Sequence, residues 1–450
     1  MLVFAISLAA MALMPLAVTG TNLAFPEIER SFDGSTRAVL SWALSGYSIA
    51  IAAFQLLGGQ LSDRFDAKRM FLIGLGVFAV ASAIAGGAPN EGILIAGRAL
   101  QGVGGALIVP SSLVLATAQY SQDRHPMVIG VWTASFPIGA AAAPSVAAVL
   151  LEYASWRWVF FATAIAAASV ALSIAPLRVR LPDRGPAPTE RTDYLGAALG
   201  TAAVGLLTLG IVQATSWGWT SLRTVGVLAC SALLVPIFVR RSLAHPRPLM
   251  NLRLFQTRSY STANISNVFI SIAGMAAWLV WPLIMSNEWS YSQIRVGLAI
   301  TPTPIIAGTV SILSMRWARR HGYRILLLAG SVLLALANIW YVVALEADPD
   351  YLGAMLPGLV LYGLGMGLTF APVNAAALVD VRAEAYGQAN AGFSTGRFIA
   401  GALGIAATIA ALGNGDGNPF DGYDRAFTLL AAISMLSALT VGIFYPRRRA

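Results

Sequence analysis

Fourteen separate apolar runs, each about as long as a bilayer is thick, limit what this 450-residue chain can fold into. They lie near 3–25, 39–61, 70–88, 92–116, 127–150, 156–177, 194–213, 222–239, 261–286, 296–315, 325–345, 351–376, 387–411 and 426–445. A helix needs about 20 apolar residues to cross the hydrocarbon core. In lipid, a helix also satisfies its own backbone hydrogen bonds within one segment. Composition agrees, with 57% hydrophobic and only 11% charged residues, against roughly 25% charged in soluble domains. The predicted fold class is all-α integral membrane, with fourteen spans. The first run has no basic residue before it and is too long for a signal h-region, so it reads as a span.

Basic residues set the expected orientation. With the N-terminus placed in the cytoplasm, 21 Lys and Arg fall in cytoplasmic segments and six in outer ones. Arg98 and Arg397 remain, and both lie inside apolar runs. Both termini are therefore expected in the cytoplasm of a multi-pass protein of the cell membrane. The formal net charge of +9 is then mostly the inner face meeting anionic lipid, and no nucleic-acid partner is needed to explain it.

Several chemistries are excluded by what is missing. Cys230 is the single cysteine, which rules out an intramolecular disulfide and a cysteine-rich metal site. His125, His245 and His321 all lie in polar stretches. Lys68 is the only lysine and no G-x-x-x-x-G-K-[ST] surrounds it, so a phosphate-cradling loop is absent. No metal and no cofactor are expected. The longest polar connections, 178–193 and 240–258, are too short for a soluble catalytic domain. Whatever the chain does, it does within or across the bilayer.

Two stretches repeat. QGVGGALIVP at 101–110 is echoed by YGLGMGLTFAP at 362–372, which aligns Gly102 with Gly363 and Gly104 with Gly365. Each copy has a proline near its end, Pro110 or Pro372. LSDRFDAKR at 61–69 is echoed by WARRHGYR at 317–324. The shared order predicts two pseudo-symmetric six-helix bundles plus two inserted helices. The N-terminal bundle is residues 1–177 and the C-terminal bundle 259–450. Between them, 178–258 holds linkers and two inserted spans, about 194–213 and 222–239. Such halves place a substrate path at their interface, near the midplane.

The motifs resemble those of the major facilitator superfamily, and within it the fourteen-span drug:proton antiporter branch. The loop Gly59-x-Leu61-Ser62-Asp63-Arg64-x-Asp66-Ala67-Lys68-Arg69 is similar to the family's G-x-L-a-D-r-x-G-r-[rk], with Asp66 and Ala67 as departures. The resemblance implies that its acid and bases, Asp63, Arg64, Lys68 and Arg69, bond a neighbouring helix end and favour one access state. Asp63 is expected at a helix N-terminus. Span four carries Leu94-x-x-x-Arg98-x-x-Gln101-Gly102-x-Gly104-Gly105-Ala106, similar to the family's second motif, in which the arginine is linked to proton coupling. A charge at that depth needs a cavity or a partner, and the alternative is a structural arginine bonded to helix carbonyls. Span five carries Gly139-Ala140-Ala141-Ala142-Ala143-Pro144 and resembles the branch's exporter motif, so a kinked, closely packed gating helix is expected. Trp156-Arg157-Trp158, Trp217-Gly218-Trp219 and Arg397-x-x-x-Gly401-x-x-Gly404 also match the branch.

Span one departs. The branch has L-D-x-T-x-x-N-x-A-L-P, and here the acid's place is taken by Ala17, ahead of Thr19, Asn22 and Pro26. All twenty Asp and Glu lie in loops or at span ends. The function expected is secondary export of small organic compounds, such as drugs or antibiotics, by alternating access. The resemblance implies proton antiport as well. The other readings are a facilitator-fold importer or uniporter, and a membrane-embedded transferase. Candidate substrate and coupling groups are Asn22, Trp42, Tyr47, Gln55, Arg98, Gln101, Trp132, Phe136, Asn374 and Arg397. The candidate gate is Gly59, Asp63, Arg64, Lys68 and Arg69 with Gly139 and Pro144. The expected partners are a small-molecule substrate, protons through the resemblance, and the bilayer around a monomer.

Overall fold

The computed structural model describes residues 2–32, 35, 37–40, 42–179, 193–245, 248, 250–382, 385–412 and 419–447. Fourteen long helices carry the fold: α1 Leu2–Ser31, α2 Trp42–Arg64, α3 Ala67–Gly86, α4 Glu91–Thr117, α5 His125–Tyr153, α6 Trp156–Ile174, α7 Tyr194–Trp217, α8 Leu222–Ala244, α9 Arg258–Leu283, α10 Pro302–His321, α11 Tyr323–Ala344, α12 Leu356–Leu378, α13 Tyr386–Leu412 and α14 Pro419–Phe444. Among the described residues there are 14 candidate spans, matching the fourteen apolar runs. The tenth is interrupted: a short helix, Gln293–Ile300, ends at Thr301 and α10 restarts at Pro302, a residue suited to the first helical position.

Helix starts follow local chemistry. Asn90 caps α4 by accepting from the Ile93 amide at 3.0 Å, and Asp193 caps α7 by accepting from the Gly196 amide at 2.8 Å. Gly218, with φ +87°, ends α7 in the left-handed region where a side chain is strained.

The chain forms two compact units, Met1–Leu254 with Val381–Thr395, and Phe255–Asp380 with Gly396–Ala450. Within lipid, helices associate mainly through close packing of small residues, and the repeated glycines are the contact points. In the first unit α4 lies between α2 and α3. A Cβ on Gly102 would meet Ala50 Cβ of α2 at 2.9 Å, and one on Gly104 would meet Phe78 N of α3 at 2.7 Å. In the second unit α12 lies between α10 and α11. A Cβ on Gly363 would meet Ile306 Cβ of α10 at 3.0 Å, and one on Gly365 would meet the Gly330 carbonyl of α11 at 2.9 Å. The duplicated sequence therefore builds the same three-helix packing twice.

The inserted helices α7 and α8 pack in the first unit. Trp217 meets Trp42 of α2 with ring centroids 6.2 Å apart. Ser231 of α8 donates to the Ala203 carbonyl of α7 at 2.8 Å. Asp193 and Arg241 form an ion pair at 2.6 Å across the two ends of this hairpin.

Candidate functional site

The arginine of span four is the centre of a buried polar chain. Arg98 is 1% exposed. Its Nε donates to the Ala43 carbonyl of α2 at 2.8 Å, and its Nη1 donates to Gln101 Oε1 one turn along α4. Gln101 Nε2 donates to Ser82 Oγ of α3 at 2.6 Å, and Ser82 donates to the Phe78 carbonyl at 2.7 Å. The guanidinium carbon stands 4.5 Å from the Tyr47 ring centre and 6.0 Å from that of Phe160. Tyr47 in turn points its hydroxyl at Met14 Sδ of α1, 3.7 Å away. One charge is thus shared among neutral oxygens and ring faces from three helices, α2, α4 and α6, which is how an intramembrane cation is made tolerable. The helix-carbonyl alternative raised for Arg98 is realised through Ala43, together with a side-chain partner.

The other candidate side chains are dispersed. Trp132 donates from Nε1 to Ser112 Oγ at 3.1 Å, tying α5 to α4. Phe136 lies one turn further along α5 and is half-buried. Gln55 is buried on α2 with neither Oε1 nor Nε2 hydrogen-bonded. Trp42 faces the inserted helices instead of Arg98, and Asn22 is exposed on α1. In the second unit Asn374 is buried on α12. Arg397 Nε of α13 reaches Asn267 Oδ1 of α9 at 3.3 Å, with its guanidinium carbon 4.1 Å from the Phe370 ring centre. Within the first unit Tyr47, Arg98 and Gln101 converge.

The loop between α2 and α3 differs from expectation at one acid. Asp63 was expected at a helix N-terminus, yet its backbone lies in the last turn of α2. Phe65 and Asp66 follow the helix end, and Asp66 is the residue that caps α3, accepting from the Arg69 amide at 2.8 Å. The departure from the family pattern is therefore itself an N-cap. Lys68 Nζ donates to the carbonyls of Ala175 and Leu177, both at 2.7 Å, past the end of α6. A cation there completes unpaired carbonyls and opposes the helix dipole. Arg64 lies over Phe65, 5.3 Å from the ring centre, and Arg69 is exposed. Gly59 lets α2 approach the start of α13, where a Cβ would come within 2.8 Å of the Gly387 carbonyl. Gly139 does the same for α5 against Ala12 of α1, with Ala12 Cα at 2.7 Å. Pro144 sits inside α5, which continues as one helix through it.

Sequence reasoning passed over three contributors. Ser82 lies 19 residues from Gln101, and no motif marks it. Phe160 belongs to none of the motifs, yet it is buried and its ring lies 6.0 Å from the Arg98 guanidinium carbon. Asp193 is a span-end acid by position, yet its side chain is 0% exposed in the pair with Arg241.

Comparison with known proteins adds the family. The sequence pattern described as Major Facilitator Superfamily matches residues 7–238 and 263–450. The chain is 30% identical over 393 residues to Multidrug resistance protein Stp of Mycobacterium tuberculosis, covering 86% of this chain and 71% of that one. It is 30% identical over 426 residues to Cephamycin export protein CmcT of Amycolatopsis lactamdurans, covering 93% and 87%. Among solved structures, a proton:xylose symporter, XylE, superposes with a TM-score of 0.71 at 12% identity, over 99% of this chain and 95% of that one. The human organic anion transporter MFSD10 gives 0.68 at 16% identity, over 98% and 99%.

Proposed function

The chain belongs to the Major Facilitator Superfamily, and from that premise we propose that it is a secondary exporter of small organic compounds, working by alternating access. The observation that carries this is similarity along nearly the whole chain to proteins named for resistance and export, including those for cephamycin and tetracenomycin C. It is supported by a close-packed α1–α5 seam at Gly139, in the helix that resembles the exporter motif. The chain acts as a transporter and not as an enzyme, as a monomer in the cell membrane with both ends cytoplasmic. Its moving parts are the N-terminal bundle 1–177, the insertion 178–258 and the C-terminal bundle 259–450.

Arg98, Gln101 and Tyr47 are assigned to coupling, through a charge that bridges α4 and α2. Arg397 has the corresponding role near Asn267. Asn22, Trp42, Gln55, Trp132, Phe136 and Asn374 are assigned to substrate contact. Gly59, Asp63, Arg64, Lys68, Arg69, Gly139 and Pro144 form the gate. Proton coupling would run through a span-end acid or through the substrate's own titrating group. The acids in question are Asp33, Glu288 and Asp380: Glu288 accepts from the Tyr423 hydroxyl at 3.1 Å, and Asp380 accepts from Ser259 at 2.6 Å. Asp33, the third candidate, lies outside the described residues.

The test is a susceptibility and accumulation screen over many compounds in a pump-deficient host. Export predicts lower accumulation and higher tolerance for some of them. No change for any compound at normal membrane levels would sink the reading.

A further inference from the structure

The two units share the packing of the repeated glycines but differ beside it. Gln101 of the first repeat aligns with Tyr362 of the second, Arg98 with Leu359, and Ser82 with Asn338. Where the first unit holds a closed chain of hydrogen bonds around a guanidinium, the second has a leucine at the arginine's position. The tie to the neighbouring helix is made instead by Thr303 of α10, which donates to the Leu359 carbonyl at 3.2 Å.

Around that place lie Trp281 of α9, Asn338 and Tyr341 of α11, Tyr362 of α12 and Phe427 of α14, each 0% exposed. The Trp281 ring is 4.8 Å from Tyr362 and 6.2 Å from Tyr341, and Tyr341 is 4.8 Å from Phe427, centre to centre. Three polar atoms of this cluster make no hydrogen bond: Trp281 Nε1, Tyr341 Oη and Asn338 Oδ1. Buried polar atoms nearly always have partners. Here two donors and one acceptor lack them together, on residues whose rings touch or that stand one turn apart on α11. The polar atoms around them are used: Tyr362 donates to the Ala273 carbonyl at 3.0 Å, and Asn338 Nδ2 to the Leu334 carbonyl at 2.7 Å.

We propose that Trp281, Tyr341 and Asn338 form a subsite for a neutral, planar aromatic compound that carries both a carbonyl acceptor and a hydroxyl donor. The carbonyl accepts from Trp281 Nε1 and Tyr341 Oη, the hydroxyl donates to Asn338 Oδ1, and the ring system lies among Tyr362 and Phe427. These side chains carry no charge, which selects against ionic groups. The subsite is enclosed here, so a ligand reaches it when the helices part during the transport cycle. This deepens the export reading and rests on it.

The purified protein is titrated with quinizarin (1,4-dihydroxyanthraquinone), following the quenching of tryptophan fluorescence. Tyr341→Phe deletes one unpartnered atom; Asn338→Leu deletes another together with Nδ2, which is bonded to Leu334. The half-saturating concentration should rise about tenfold in each, while the unfolding temperature of Tyr341→Phe stays level or rises. Tyr362→Phe, which deletes a hydroxyl already bonded, should lower the unfolding temperature and shift binding far less. Equal binding by wild type and both variants would overturn the subsite, as would no binding by wild type. A wild type that binds quinizarin but exports nothing in the host screen would instead sink the export reading and leave the subsite standing.

Discussion

Arg98 donates through Nε to the main-chain oxygen of Ala43, 2.8 Å away, and so fastens α4 to the first turn of α2 by a charged bond. The side chain is 1% exposed and its other partners are Gln101 and two aromatic rings. A single charge therefore adds a directional bond to the glycine-packed seam of these two helices. Any change in the spacing of α4 and α2 must break or remake that bond.

Arg98→Ala should reach the membrane normally and lose transport at least tenfold, because hydrogen bonds to a charged group are worth about 1.5–3 kcal/mol each. Arg98→Lys should be impaired too, since an ammonium cannot make the Ala43 and Gln101 contacts from one planar fork. Efflux normalised to membrane protein level measures both. Full transport by Arg98→Ala would reduce this residue to packing.

Much of this was legible in the sequence. The fourteen spans follow from run length, because an apolar run of about 20 residues satisfies its own backbone in lipid as a helix, whereas barrel strands are about half as long and alternate in polarity. The Gly102/Gly363 and Gly104/Gly365 pairs marked a repeat, but which helices they join, α2–α4–α3 and α10–α12–α11, came from the structure. Arg98 and Gln101 stood out as polar residues inside a span. Their partner Ser82 did not, because a serine in an apolar helix most often bonds its own backbone, as Ser7 and Thr21 do to Val3 and Ala17. Asp63 and Asp66 show another limit: which of two nearby acids caps a helix depends on where the preceding helix stops, and boundaries are the least certain part of a sequence reading. The unpartnered cluster around Trp281 is invisible in sequence, since it joins four helices through ring contacts that no spacing records.

The paired glycines should respond alike. Gly102→Val and Gly363→Val each push a branched side chain into backbone or Cβ atoms about 3 Å away, and each should lower the unfolding temperature and transport together. Gly76 of α3 meets nothing within 4 Å at its Cβ position, so Gly76→Ala should be neutral or stabilise by up to about 1 kcal/mol. Thermal unfolding in detergent separates these outcomes. A well-tolerated Gly102→Val would mean that the α2–α4 contact is loose.

Lys68→Ala removes a cation from the carbonyls that end α6, and should cost about 0.3–2 kcal/mol. Lys68→Arg should recover part of that, because a guanidinium can reach the same two oxygens. Limited proteolysis of the connection after Leu177, at matched detergent and salt, reports the change. An unaltered cleavage rate in Lys68→Ala would show that the contact does not hold the end of α6.

Reporter fusions test the orientation. Fusions after residues 190 and 450 should score cytoplasmic, and one near 416 should score external. A cytoplasmic signal at 416 would overturn the span order.

The most direct test is transport itself. The two charges set deep inside the apolar runs, Arg98 and Arg397, are positive, the acids lie in loops or at span ends, and Ala17 stands where the motif it resembles carries an acid. An export path built this way favours neutral or anionic compounds over permanent cations. Uptake into inside-out membrane vesicles, with and without an imposed pH gradient, measures direction, driving force and charge preference together. The expected result is accumulation of neutral or anionic aromatic compounds, lost in Arg98→Ala. Strong proton-driven uptake of a quaternary ammonium dye, with the neutral compounds left outside, would contradict it.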